Sequence, residues 1–157
     1  MFKITQKYES GRSMLEIIGA LAVMTMMSVG AFVLIRNANA AQKRNTVVED
    51  FAGIATAVRA LYADYDDLND LDGDGAMAAM GIDKGKTPYP DTSYIVEQWQ
   101  KNEKDDEFRI IIKGRGLPEK DCIILSRQAW PDSVSGHATG ECSASNDSRS
   151  IYVIYGK

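Results

Sequence analysis

Residues 17–35 read IIGALAVMTMMSVGAFVLI, and none of these side chains carries a charge. Together with residues 14–16 the run is interrupted only by Glu16. As an α-helix it would be roughly 33 Å long, which matches the hydrocarbon core of a bilayer, about 30 Å thick. Backbone polar groups in lipid must be paired within the segment, so a helix is the expected conformation. The stretch therefore predicts a membrane or export helix ahead of a soluble body.

The body that follows Arg36 is polar and mildly acidic. The whole chain has 157 residues and a net charge of −4, which is enough for one modest domain plus an appendage. A phosphate-binding face needs clustered Lys and Arg, and the body has no such cluster. We therefore expect no direct binding of nucleic acid.

The apolar run alone allows two interpretations. One is a plain signal anchor. The other is a secretory signal peptide, because Ala38-Asn39-Ala40 forms an A-x-A pattern that predicts cleavage before Ala41. That cleavage would release a soluble periplasmic binding or accessory protein. Against it, the run is longer than the usual apolar core of a signal peptide, about 7–15 residues.

Glu16 favours a third interpretation. A carboxylate at the centre of a membrane helix costs about 2.5–3.5 kcal/mol on insertion scales, less near the end, and usually marks a function. The sequence Gly11-Arg12-Ser13-Met14-Leu15-Glu16 leads directly into the apolar run. A Gly, four residues, a Glu and a long apolar helix resemble the processing site of type IV pilins and related pseudopilins.

The resemblance implies a leader over residues 1–11 that a prepilin peptidase removes after Gly11, with methylation of the new N-terminus at Arg12. It implies a transmembrane and filament-core helix over residues 12–36. Glu16 would pair with the terminal amine of a neighbouring subunit, since a buried charge needs a partner. Arg12 departs from the Phe or Met usual at this position, and an i, i+4 pair between Arg12 and Glu16 is an alternative.

The implied partners are further copies of the chain in a homo-oligomeric filament, the prepilin peptidase and the pilus assembly machinery. The precursor would lie in the inner membrane and the filament in the periplasm or outside the cell. A secretion pseudopilin and a minor pilin remain alternatives to a major pilin. The role, such as adhesion, motility or secretion, stays open.

The predicted body, residues 37–157, is an α+β domain in which a helix packs on a small antiparallel sheet. Apolar residues at helical spacing predict an amphipathic helix over residues 37–65. Strand patterns cover residues 92–99, 107–113 and 150–155, and a short helix begins near Pro118. The predicted apolar stripe of the amphipathic helix comprises Val47, Phe51, Ile54, Ala55, Val58, Leu61 and Tyr62.

Cys122 and Cys142 predict one disulfide, because an even cysteine count is typical of an exported domain. Closing the loop 122–142 would contribute about 3 kcal/mol on the chain-entropy model. Residues 108–122, FRIIIKGRGLPEKDC, resemble the type IVb pilins, including subunits of thin conjugative pili. There a strand is followed by Gly, an apolar residue, Pro, and a short helix that carries the first disulfide Cys.

Asp70, Asp72 and Asp74 form a D-x-D-x-D-G run whose alternate carboxylates predict a Ca²⁺ site. Position twelve of an EF-hand loop would be Gly81 rather than Glu, and a solvated acidic turn is the alternative. His137, the only His, is expected in an exposed loop. We expect packing roles for Trp99 and Trp130, and no catalytic site, so the chain is not predicted to be an enzyme.

Overall fold

A computed structural model describes residues 14–65, 68, 71, 74–83, 85–99, 106–143 and 148–157. The chain forms two compact units, Met1–Asn39 and Ala40–Lys157. The described elements are α1 (Met14–Leu61), α2 (Asp74–Ala79), β1 (Thr92–Gln98), β2 (Glu107–Gly114), α3 (Glu119–Arg127), β3 (Thr139–Glu141) and β4 (Arg149–Gly156). The layout is α+β, as the sequence predicts.

The part of α1 in the first unit is apolar and exposed. Every residue from 14 to 39 is exposed. By its length and composition the helix is able to cross a membrane, although a signal sequence meets the same criterion. The hydroxyls of Thr25 and Ser28 donate to the carbonyls of Ala22 and Met24, each at 2.8 Å. These polar groups are therefore satisfied within the helix, as an apolar environment requires.

The part of α1 in the second unit buries one side. Val47, Phe51, Ile54, Ala55 and Val58 are buried, which confirms most of the predicted stripe. The prediction that Leu61 belongs to the buried stripe is wrong, because Leu61 is 40% exposed. The helix ends at Leu61, so the chain leaves helical geometry there. Tyr62, the last residue of the predicted stripe, is 7% exposed and lies in the core as predicted.

The four described strands form one antiparallel sheet in the order β1-β2-β4-β3. Burial alternates along β1, β2 and β4, so one face of the sheet lies on the core and the other faces outward. The register aligns Tyr94 with Ile112, and Ile112 with Ile151, across the buried face. The ring of Phe51 contacts Tyr94 at 5.9 Å and Trp130 at 5.0 Å between centroids. Helix α1 therefore packs on the inner face of the sheet.

The predicted disulfide is confirmed, because Cys122 of α3 is bonded to Cys142 just after β3. The predicted strands and the helix after Pro118 are present with ends shifted by one or two residues. Two elements were not predicted. Helix α2 lies within residues 64–91, and β3 lies within the Gly/Ser-rich stretch before β4.

Two glycines after β2 permit a close approach between backbone segments. A Cβ at Gly116 would lie 1.6 Å from the carbonyl oxygen of Pro90, and one at Gly114 would lie 2.0 Å from that of Asp91. Between them, the amide of Arg115 donates to the Asp91 carbonyl at 3.1 Å. The Gly-Arg-Gly sequence therefore holds the chain that leads into β1 against the turn that leaves β2.

We expect Gly116→Ala to destabilise the body by about 2 kcal/mol, because overpacking against a backbone carbonyl forces the two segments apart. The matched control is Gly53→Ala, where a Cβ would have no neighbour within 4 Å. This control should stabilise the helix by about 0.5–1 kcal/mol. Thermal unfolding of the full chain in detergent, followed by circular dichroism, measures both. An unchanged midpoint for Gly116→Ala would contradict the close approach.

Candidate functional site

The exposed apolar surface of α1 in the first unit is the first candidate for a functional site. Its large apolar side chains are between 48% exposed, at Ile17, and 82% exposed, at Leu15. A continuous apolar surface of this size is unfavourable in water. It is stable only against lipid or against apolar surfaces of other chains.

Glu16 lies in the first turn of α1 and is exposed. Its position suits the positive end of the helix dipole. Within the described residues it forms no ion pair, whereas its suggested helical partner, Arg12, lies outside them together with Gly11. A carboxylate beside Ile17 and the apolar turns that follow needs a cation once that surface is covered.

Arg36 marks the other end of the uncharged segment. The rise from Glu16 to Arg36 in α1 is about 30 Å, equal to the hydrocarbon thickness of a bilayer. The Arg36 guanidinium lies over the ring of Phe32, 4.5 Å from its centroid. A cation that folds back on an apolar ring in this way suits the boundary between an apolar and an aqueous region.

In the second unit, a buried ion pair ties α1 to α3. Nη1 of Arg44 lies 2.6 Å from Oδ1 of Asp121, and the two side chains are only 19% and 8% exposed. The hydroxyl of Tyr89 donates to the other oxygen, Oδ2, at 3.1 Å, and the Lys43 ammonium lies 5.6 Å from the Tyr89 ring centroid. Asp121 precedes the disulfide residue Cys122, so this contact links α1 to the cross-linked part of the body.

Two further polar side chains outside the apolar stripe of α1 also bind the body. The hydroxyl of Tyr94 donates to Oδ2 of Asp50 at 2.6 Å. Near the end of α1, Nε of Arg59 donates to the Gly156 carbonyl at 2.9 Å, and Nη2 donates to the Asp132 carbonyl at 3.2 Å. Nothing in the local sequence pattern of α1 indicates these partners.

Three tyrosines of the second unit have raised pKa values. Burial is the main cause of the raised pKa of Tyr89 and Tyr94, and the hydrogen-bonded carboxylates of Asp121 and Asp50 add to it. Burial raises the pKa of Tyr155 to about 12, partly offset by the nearby Arg59. These hydroxyls therefore stay protonated at neutral pH and act as hydrogen-bond donors or packing groups.

The outward face of the sheet carries an aromatic and charged cluster. The rings of Trp99 and Tyr152 lie 5.8 Å apart, and the Arg109 guanidinium lies 5.1 Å and 5.7 Å from their centroids. Arg109 also donates to Glu97 on the neighbouring strand. Trp99 and Tyr152 are half-buried, whereas Tyr155, on the opposite face of β4 from Tyr152, is buried.

Several predicted sites are not brought together as a chemical centre. Trp130 is a buried core residue and donates from Nε1 to the Leu125 carbonyl at 3.0 Å, as its predicted packing role requires. His137 is exposed. Asp70, Asp72 and the side chain of Asp74 lie outside the described residues, so the calcium site stays a prediction. Within the described part of the chain, no group of three His, Cys, Asp or Glu side chains could hold a metal ion.

Neither protein-family models, nor curated proteins, nor solved structures give a match to this chain.

We expect Asp121→Ala to destabilise the body by about 3 kcal/mol, because it leaves the guanidinium of Arg44 buried without its carboxylate. Replacing both partners, as Arg44→Met with Asp121→Leu, should recover most of this loss, since no unpaired charge is then buried. The control is Glu97→Ala, which removes a half-exposed ion pair and should cost less than about 1 kcal/mol. Thermal unfolding of all three variants checks this order, and equal losses for the single and double changes would contradict it.

Proposed function

We propose that this chain is the structural subunit of a type IV pilus-like filament. The observation that carries the proposal is the single helix α1, Met14–Leu61. Residues 14–39 expose apolar side chains all round, and residues 40–61 bury one side against a sheet. A helix of this kind suits a subunit that is held in lipid before assembly and packs against other helices afterwards.

The surface of the first unit supports close packing between helices. A Cβ at Gly19 or at Gly30 would have no neighbour within 4 Å. Small residues on apolar helices allow their backbones to approach, and packing rather than water exclusion drives association in lipid. The bundled first halves of many copies would form the core of the filament and leave the second units outside.

Glu16 supports the same proposal through its charge. Once α1 is surrounded by apolar helices, the carboxylate is stable only beside a cation. The terminal amine that prepilin processing after Gly11 would create is a suitable partner on a neighbouring copy. Pairing of this kind fixes the axial offset between neighbouring helices, because any other offset leaves a buried charge unpaired.

Two alternatives use the same observations differently. A secretion pseudopilin or a minor pilin has the same assembly chemistry and differs only in where it is used. A soluble periplasmic accessory protein, released after Ala40, is favoured by one specific observation: the unit that begins at Ala40 is compact by itself. Against release, the Ala38-Asn39-Ala40 pattern lies inside the continuous helix α1. In every case we propose a structural rather than a catalytic role.

We expect Glu16→Ala to leave membrane insertion intact and to reduce the yield of sheared filaments by about tenfold or more, since the fixed offset between helices is lost. The control is Glu141→Ala, which removes an exposed carboxylate of β3 in the second unit and should leave filaments unchanged. Membrane fractionation and electron microscopy of sheared material provide the readouts. Normal filaments from Glu16→Ala would remove the proposed role of this residue.

We expect the mature protein from its native host to begin at Arg12, with or without a methyl group on the terminal amine. Intact mass and the N-terminal peptide measure this directly. A chain that begins at Ala41 would contradict processing after Gly11 and would leave a released periplasmic domain as the better proposal.

A further inference from the structure

Helix α3 presents a mixed apolar and cationic stripe on its outward side. Lys120, Ile123, Ile124 and Arg127 recur at positions i, i+3, i+4 and i+7, which places them on one side of the helix. The two isoleucines are half-buried and the two cations are exposed, while the opposite side of α3 is buried. Neither cation forms an ion pair within the described residues. We call these four residues the α3 stripe.

A groove of about 270 Å³ lies between α1, the segment after α2 and β1. Gly53, Ile54 and Ile82 contribute apolar or open surface to it. A Cβ at Gly53 would have no neighbour within 4 Å, so the absence of a side chain there leaves the groove open. We call this the α1 groove.

Carboxylates dominate the charge of the α1 groove. Glu49, Asp50 and Asp83 line it, and Lys86 is the single cation among the described residues that line it. The Asp50 carboxylate accepts a hydrogen bond from the hydroxyl of Tyr94, and the Asp83 carboxylate accepts one from the amide of Gly85. Glu49 is exposed and forms no hydrogen bond or ion pair within the described part of the chain. The groove therefore combines an apolar floor with a net negative rim.

The α3 stripe and the α1 groove are complementary in pattern. The stripe has two isoleucines between two cations, and the groove has apolar surface between carboxylates. Amphipathic helices commonly bind grooves through anchors at i, i+3, i+4 and i+7. Charges of opposite sign at the rim then set orientation and reject incorrect partners.

One copy is unable to satisfy both surfaces by itself. The groove includes Tyr94 of β1, whereas α3 contacts β4 and β3. In the strand order β1-β2-β4-β3, these elements lie towards opposite edges of the sheet. A contact between them must therefore join two copies through different surfaces, and such a heterologous contact builds an open helical assembly when it does not close into a ring.

We propose that α3 of one copy docks through the α3 stripe into the α1 groove of a neighbouring copy. The occupant is a second copy of this chain because both complementary surfaces lie on the same body. This inference rests on the proposed filament function and adds to it a contact between second units, separate from the packing of the apolar helices.

The first test fills the groove with Gly53→Leu in the full chain expressed in its host. A Cβ at position 53 has no neighbour within 4 Å, and the rest of the leucine side chain occupies the open groove, so the folded protein should persist with at least the wild-type melting temperature. Filament yield should fall by about tenfold, since the docked isoleucines lose their space. The control is Ala52→Leu, at an exposed position of α1 that does not line the groove, and it should leave filament yield unchanged.

The second test cross-links the two surfaces in membranes and in filaments with a short bifunctional maleimide. A chain that carries both Gly53→Cys and Arg127→Cys should give a ladder of multimers, while each single variant should give none. Dimers from one single variant would indicate contact between identical surfaces and overturn the proposal. Cross-linking of Arg127→Cys alone to a different protein would also overturn the second copy as occupant.

The two proposals fail in different ways. Normal filaments from Gly53→Leu, or filaments in which the double variant gives no ladder, would overturn the docking and leave the filament in place. A ladder in membranes of a host that makes no filament would support the contact and overturn the filament. If neither filaments nor a ladder of multimers is found for the chain in its host, both the filament function and the docking are overturned.

Discussion

The need to cover the apolar surface of α1 governs the rest of this structure. Over residues 14–39 the helix has no buried side, so lipid or other helices must supply the environment that the chain itself does not. Over residues 40–61 the same backbone geometry carries a one-sided stripe, and a four-stranded sheet covers it. The two halves of one helix therefore suit two different environments. The backbone geometry is the same in both halves, and only the pattern of the side chains differs.

Within the second unit, polar contacts as well as apolar packing join residues 40–61 of α1 to the rest of the body. Arg44 forms an ion pair with Asp121 beside the disulfide residue Cys122, and Arg59 donates to the carbonyls of Gly156 and Asp132. A buried ion pair contributes little net stability compared with an apolar pair, but it strongly disfavours any arrangement that separates its charges. These contacts therefore fix which way the body is turned on α1, and with it the direction in which α3 faces.

Assembly through apolar helices alone leaves the rotation of each copy weakly defined, since lipid-like surfaces pack in many ways. In the proposed filament, pairing of Glu16 would restrict the axial offset of neighbouring helices, and the proposed docking of α3 into the α1 groove would restrict the rotation of each copy. A subunit with a cationic helix towards one sheet edge and an acidic groove near the other has two different contact surfaces that complement each other. Head-to-tail growth of the proposed filament requires such a pair of surfaces. Such an arrangement favours continued head-to-tail growth over closed dimers.

The sequence by itself determined the elements whose signals are local. Helical spacing predicted the buried stripe of α1, strand-like runs predicted β1, β2 and β4, and two cysteines in a body expected to be exported predicted one disulfide. Short or atypical elements escaped: α2 lies in a stretch rich in Asp and Gly, and β3 has only three residues, too few for a period to show. Only the tertiary structure decided the pairing of Arg44 with Asp121, 77 positions apart, and the close approach at Gly116. It also decided which face of α3 remains uncovered. Each of these features depends on how segments that are distant in the sequence pack together. The local sequence around a polar residue on a helix looks the same whether that residue binds water or a buried carboxylate.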